Sequence, residues 1–266
     1  MIPEERREAL LRELRHKGVL SIRELCPILG VSHMTVRRDI AALEQQGRVY
    51  SVPSGVKLAE RLHSEPSFLD KSVTDLDNKR AMAAAAAELI TPGQTIYLDA
   101  GTTLGQIVPL IWDVQDLTVV TNDITTAGLL VDHPSVELYH VGGRIDRENR
   151  SSIGDLAAAS VAEFNLDTAF ISTSSWDLGR GSTTPSEMKV TVKRAAMRAA
   201  SLSVLVASSA KYGTFGTFRV SSLQSFDQII SDAGLPESTL YAIREKGIDI
   251  RAVRTSAQSS SQPLST

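Results

Sequence analysis

Four short polar clusters in this sequence have the residue types and spacing of an anion-binding site. Asp99-Ala100-Gly101-Thr102-Thr103 follows the apolar run TIYL and precedes LGQIVPL. A glycine there permits close backbone approach. The N–H groups of Thr102 and Thr103, at the start of a helix, would face an anion with two hydroxyls beside them. Thr121-Asn122-Asp123 follows LTVV, Gly142-Gly143-Arg144 follows VELYHV, and Ser208 to Lys211 follows SLSVLVA. Arg144 offers a planar fork and Lys211 a point charge, two ways of neutralising phosphate. A further stretch, LGRGSTTPSEMKVTVKRA, sets a glycine-rich loop before a helix carrying Glu187, Lys189 and Lys193, from which Lys193 can face the same crevice. Asp99 and Asp123 suit sugar hydroxyls or, in an enzyme, proton abstraction. Ser-His-Asp, metal-ligand and Walker patterns are not found, and His63, His133 and His140 lack ligand spacing. The single cysteine, Cys26, excludes an internal disulfide and a cysteine-built zinc site. Neither a metal nor a cofactor is expected.

A different chemistry is written in Ser32-His33-Met34-Thr35-Val36-Arg37-Arg38. With Val36, Ile40 and Leu43 turned inward, His33, Thr35, Arg37 and Arg38 face outward at the start of a helix. That end of a recognition helix enters the DNA major groove, where Arg pairs with guanine and Thr meets a thymine methyl. Ser32 and the first N–H groups suit phosphate contacts. Arg48 and Lys57, on a following hairpin, are expected at the flanking backbone or minor groove.

The elements that must hold these residues follow from periodicity and stop signals. Glu4 to His16 is an amphipathic helix closed by Lys17-Gly18. Ser21 caps IRELCPIL up to Gly30, and Ser32 caps HMTVRRDIAALEQQ up to Gly47. RVYSVPSGVKL alternates about Pro53-Ser54-Gly55 as a hairpin. Helix, helix, short turn, helix and hairpin make a winged helix-turn-helix over residues 1–57. Residues 58–75 hold no sustained period and read as a linker. From 76 to 254, helices (Asp77–Ile90, Thr103–Trp112, Ile124–Val131, Leu156–Phe164, Ser186–Ala200, Glu237–Lys246) alternate with β-branched strands, which predicts an α/β domain with a mostly parallel sheet covered on both faces. Residues 255–266, TSAQSSSQPLST, are polar and low in complexity and are expected to be disordered.

The 266 residues are 42% hydrophobic and 22% charged, enough for packed cores in two domains. The longest nearly apolar stretch, AMAAAAAELI, falls far short of the roughly 20 residues that span a bilayer, and the N-terminus has no signal-peptide pattern. A soluble, cytoplasmic protein without a membrane partner is expected. The net charge of −3 divides unevenly, +3 over residues 1–61 and −6 over the remainder. A basic head on an acidic body suits an anionic partner for the head.

These motifs resemble the DeoR family of bacterial transcription regulators across nearly the whole chain. GVSHMTVRRDIAALEQQGRV is similar to that family's DNA-binding signature, and YLDAGTT, VVTND, GGR, STT and AKYG fall in the order of its sensor domain. The resemblance implies a Rossmann-like sensor akin to ribose-5-phosphate isomerase and CoA-transferase-like folds. It implies a homo-oligomeric repressor of operator DNA, controlled by a phosphorylated sugar or sugar-acid effector. Asp99, Gly101, Thr102, Thr103, Asn122, Gly143, Arg144 and Lys211 are the effector contacts it implies. Two positions depart from the family: Ser208 stands where aspartate is usual, and STSSWDLGRG has Trp176 where glycines are usual. Trp176 either lines the pocket or anchors its loop, and a missing carboxylate alters hydroxyl recognition in favour of an acidic sugar derivative. The alternative is a sugar-phosphate isomerase with an accessory DNA-binding module, for which Asp99, Asp123 and Glu187 are the candidate bases.

Overall fold

The computed structural model describes residues 1–255; the expected disordered tail lies, from residue 256 onward, outside the described residues. The head is built from α1 (Pro3–Lys17), α2 (Ile22–Leu29) and α3 (His33–Gln45). Their stop and start signals act as the sequence predicts. The Gly18 N–H closes α1 on the Leu14 carbonyl at 2.9 Å. Ser21 and Glu24 cap each other's N–H groups at the start of α2, and Ser32 Oγ accepts from Thr35 N at 3.3 Å on α3. Leu10, Leu14, Leu25, Val36, Ile40 and Leu43 form one core. A buried pair crosses it: Arg6 on α1 donates twice to Asp39 on α3, at 2.5 and 3.1 Å. Strands Val49–Val52 and Gly55–Leu58 make the wing, and Val19–Leu20 adds a third strand.

The segment 58–75 carries ordered structure rather than a plain connection. Glu60–Arg61 pairs in parallel with Thr214–Phe215 of the second domain, and α4 (Phe68–Val73) follows, capped by Ser67. Its short strand gains stability only by pairing across more than 150 residues, which no local pattern records.

The second domain holds a seven-stranded, wholly parallel sheet. Its spatial order is Ile250–Val253, Gln228–Asp232, Ala200–Val206, Leu166–Ile171, Thr95–Leu98, Thr118–Thr121 and Glu137–His140. α5 (Leu76–Ala87), α6 (Ile124–Leu130), α7 (Asp155–Ala162), α8 (Glu187–Ala199) and α9 (Glu237–Glu245) complete the layers. Successive residues of the strand Thr95–Leu98 enter opposite cores: Tyr97 joins one, and Ile96 and Leu98 join the other. That is why its strands read as continuous apolar runs. The predicted helix Thr103–Trp112 is instead a 3₁₀ helix over Leu104–Leu110. Pro109 lies inside it, and its ring would clash with the i−4 carbonyl of an α-helix. The stretch after Ile171 folds as a hairpin, Ser175–Asp177 with Gly181–Thr184, that the sequence reading treated as loop. Among the described residues no helix is long and apolar enough to cross a membrane, and no group of three or more His, Cys, Asp or Glu could hold a metal ion.

The two domains touch at the C-terminal end of α3. Arg180 donates to the Gly47 carbonyl, pairs with Asp177 at 3.0 Å and lies 3.9 Å above the Phe215 ring. A Cβ at Gly179 would come within 2.5 Å of Gly47 N and 2.7 Å of Gln45 O; one at Gly213 would strike the Tyr50 ring at 2.1 Å. Only glycine admits backbone this close.

Candidate anion pocket and nucleic-acid interface

Strand order reverses between Thr95–Leu98 and Leu166–Ile171, since later strands add outward on both sides of that pair. Ligands of open parallel sheets bind beyond the strand ends at such a switch point, and a cavity of about 320 Å³ opens there. Asp99 ends one of the two strands and Ser172 the other. Ser172 donates its N–H and its Oγ–H to the same Asp99 oxygen, each at 2.9 Å. Lys193, on α8, also donates to Asp99, and to the Ser172 carbonyl at 2.9 Å. Asp99 therefore serves as a buried acceptor that fixes a lysine at the cavity wall.

The turn after Asp99 is braced from the neighbouring strand. Ala100 N donates to Asn122 Oδ1 at 2.9 Å and Gly101 N to Asp123 Oδ2 at 3.0 Å. Asn122 donates in turn to the Ser152 carbonyl, and Asp123 caps α6 through Thr125 N and Thr126 N. Burial raises the Asp123 carboxyl, opposed by those N–H donors and reinforced by Asp99. With both amides ahead of them engaged, an anion at this turn is left to Thr102 and Thr103.

Asp99, Gly101, Thr102, Thr103, Asn122, Lys193 and Lys211 all line the cavity. Gly143 and Arg144 stand apart from its wall: Gly143 packs on Ala157 and Ile153, and the strand Arg144–Asp146 pairs with Ser151–Ile153. That pairing carries the exposed Arg144 guanidinium outward to Met188 Sδ, 3.4 Å away. Lys211 donates to the Thr173 carbonyl at 2.7 Å, and burial together with repulsion from Lys71 lowers its ammonium to about 8. Ser208 lines the cavity, and its carbonyl accepts from Trp176 Nε1 at 3.0 Å. Trp176 is wholly buried and stacks edge-on against Tyr212, so it anchors the wall from behind.

Sequence reasoning assigned to this cavity only three of the eight charged residues that line it, Asp99, Lys193 and Lys211. Lys71 and Lys79 reach it from α4 and α5, Lys189 from α8, and Glu65 from the segment read as a linker. Five lysines thus line the cavity against three carboxylates, Glu65, Asp75 and Asp99. Lys71 is lowered by burial, with Glu65 opposing and Lys189 adding to the shift. A cluster so arranged favours an anionic occupant.

On the head, Ser32, His33, Arg37 and Arg38 are exposed on one face of α3, and Thr35 is half-buried beneath Ser32. Met34, 72% exposed beside them, is an apolar side chain on the same helix start. Arg48 is held by Glu8 at 2.7 Å, and Lys57 pairs in register with Val19 and Tyr50. Lys57 lies within a strand of the wing sheet and Arg48 just before the strand Val49–Val52, both away from the Pro53-Ser54 tip.

A winged helix joined to a parallel α/β domain with a cationic cavity defines a two-domain, DNA-binding regulator. Comparison with known proteins gives the particular family. Residues 6–61 match the DeoR-like helix-turn-helix domain and residues 74–233 the DeoR C-terminal sensor domain. An HTH-type transcriptional regulator of Haemophilus influenzae is 47% identical over 250 residues, covering 94% of this chain and 97% of that one. The regulator YgbI of Escherichia coli K12 is 45% identical over 94% and 98% of the two chains. The transcriptional repressor GlcR of Bacillus subtilis is 29% identical over 87% and 89%. The chain belongs to the DeoR family of transcriptional regulators, and it is a regulator rather than an enzyme. Among solved structures, ribose 5-phosphate isomerase A of Methanocaldococcus jannaschii aligns with a TM-score of 0.38 at 14% identity, covering 52% of this chain and 55% of that one. The translation initiation factor eIF-2B of Pyrococcus horikoshii aligns with a TM-score of 0.40 at 11% identity, over 86% and 82%.

Proposed function

We propose that this protein represses a carbohydrate or sugar-acid catabolic operon and is released by a phosphorylated, sugar-like effector bound at the switch-point cavity. The observation that carries the reading is the convergence of Lys71, Lys79, Lys189, Lys193 and Lys211 on one cavity beside the Thr102-Thr103 turn. Lysines so placed match a phosphoryl dianion, and the polar wall of serines and threonines matches hydroxyls. Ser208, in place of a carboxylate, leaves the site more cationic and favours an acidic sugar. The head binds operator DNA through His33, Thr35, Arg37 and Arg38 of α3, with Ser32 at a phosphate. Two heads of a homo-oligomer would meet half-sites about one DNA turn apart, or a multiple of it.

The test is a thermal-shift screen of the full chain against phosphorylated sugars, phosphorylated sugar acids and their unphosphorylated counterparts. A ligand at about 100 times its Kd adds about 2.7 kcal/mol of stability. Shifts confined to phosphorylated compounds, lost in Lys193→Met, support the reading. Equal shifts with unphosphorylated counterparts, or none with any phosphorylated compound, overturn it.

A further inference from the structure

Glu65 stands between the two family-matched regions, yet its side chain is only 11% exposed. One carboxylate oxygen meets Lys189 Nζ at 3.1 Å and Lys71 Nζ at 3.3 Å. The other accepts from Ser174 Oγ and, at 3.4 Å, from Thr184 Oγ1. Burial alone would raise this carboxyl, but Lys189 and Lys71, helped by Ser174, hold it at about 2. The side chain is therefore an anion at any physiological pH.

Two ammonium groups and two hydroxyls converging on one anionic group are the donor set that a ligand carboxylate or phosphoryl group requires. Both lysines, Ser174 and Glu65 itself line the cavity proposed for the effector. Lys71 and Lys189 also repel each other, and although Lys189 meets a second carboxylate, Asp146, at 3.2 Å, it is the Glu65 carboxylate that bridges the two ammonium groups. The backbone on either side of Glu65 is anchored separately. Leu62 N donates to the Phe215 carbonyl and Phe68 N to the Glu148 carbonyl, each at 2.8 Å. Between those anchors Glu65 and Pro66 line the cavity, Glu65 bringing the charge, and the chain leads directly back to the wing.

We propose that the Glu65 carboxylate is the resident occupant of an anion subsite formed by Lys71, Lys189, Ser174 and Thr184, and that an anionic group of the effector takes this subsite by displacing it. The inference rests on the cavity being the effector site. It adds a ligand position and a link: the displaced side chain belongs to the segment joining sensor to head. A resident anion competes with the ligand, so its removal tightens anion binding.

The experiment uses the full chain at a fixed pH near 8 with inorganic phosphate as the probe. Calorimetry on wild type and Glu65→Gln should show phosphate bound about tenfold or more tightly by the variant, a change of about 1.4 kcal/mol or more. In wild type, saturating phosphate should raise amide exchange over residues 62–68 by about tenfold, a readout that needs no variant to fold. Equal or weaker binding by Glu65→Gln, or wild-type exchange indifferent to bound phosphate, makes Glu65 a structural ion pair and overturns the proposal alone. Binding of phosphate to neither protein overturns the anion-pocket reading with it.

Discussion

Ser172 directs both its N–H and its hydroxyl at one carboxylate oxygen of Asp99, joining the ends of the two strands between which the sheet reverses its order. Lys193 completes the set, so a backbone amide, a hydroxyl and an ammonium share one acceptor. Asp99 is 1% exposed and Lys193 4%. Asp99→Asn would strand a buried ammonium, a class of change that costs about 3–5 kcal/mol. Urea denaturation of the full chain should show that loss, and phosphate should no longer raise its melting temperature. A variant with wild-type stability would mean that the Lys193–Asp99 contact is not formed.

Arg37 and Arg38 project from the exposed face of α3, clear of the buried Asp39. Arg37→Ala and Arg38→Ala should each weaken binding to a duplex selected from random sequence by roughly one to two orders of magnitude. A contact to phosphate should lower the salt slope by about 1, whereas a base contact should relax specificity at one position. Phosphate-induced thermal shifts should be unchanged. Loss of both activities in folded protein would contradict the separation of the two sites.

The charge on Lys211 should make anion binding sensitive to mild alkali. Its ammonium titrates near 8 instead of 10.5 because burial disfavours charge and Lys71 repels it. Above pH 8 the folded chain has lost a proton that the unfolded chain keeps until about 10.5, so this group's destabilising effect is relieved as pH rises across that window. Sulfate, whose charge is constant here, should bind about tenfold more weakly at pH 9 than at pH 7 through this group. The difference between wild type and Lys211→Met, measured by calorimetry, isolates it; parallel pH curves would rule the assignment out.

Contact between the domains depends on Gly179. Gly179→Val would drive a branched side chain into Gly47 N and Gln45 O, where even a Cβ lies within 2.7 Å. The head should undock, raising amide exchange over residues 45–50 by about tenfold while both cores stay folded. Exchange identical to wild type would show that α3 does not rest on the 177–180 loop in solution.

Arg144 separates the resemblance from the geometry. Its guanidinium lies beside Met188 on the exterior, outside the cavity wall. Arg144→Ala should leave phosphate affinity within about twofold of wild type, whereas Lys193→Met should abolish binding. An equal loss in both would return Arg144 to the effector site.

The sequence alone determined what local physics controls. Caps at Ser21 and Ser32, stops at Gly18 and Gly30, and the inward stripe of Val36, Ile40 and Leu43 define the head within neighbouring residues. The apolar runs separated by helical periods define the parallel sheet. The turn at Asp99–Thr103 and the faces of Lys193 and Lys211 were legible because each sits at a strand end or on a regular helix. Tertiary structure alone decided the rest. Glu65, Lys71 and Lys79 lie in or beside a segment with no period, and Glu65 acquires meaning only where Ser174, Thr184 and Lys189, more than 100 residues later, are folded against it. Arg144, at a strand end like the others, is turned away by a hairpin that pairs it with Ile153. Charge acts through space and is set by neighbours distant in sequence, whereas caps and periods act along the chain; only the second kind can be read from it.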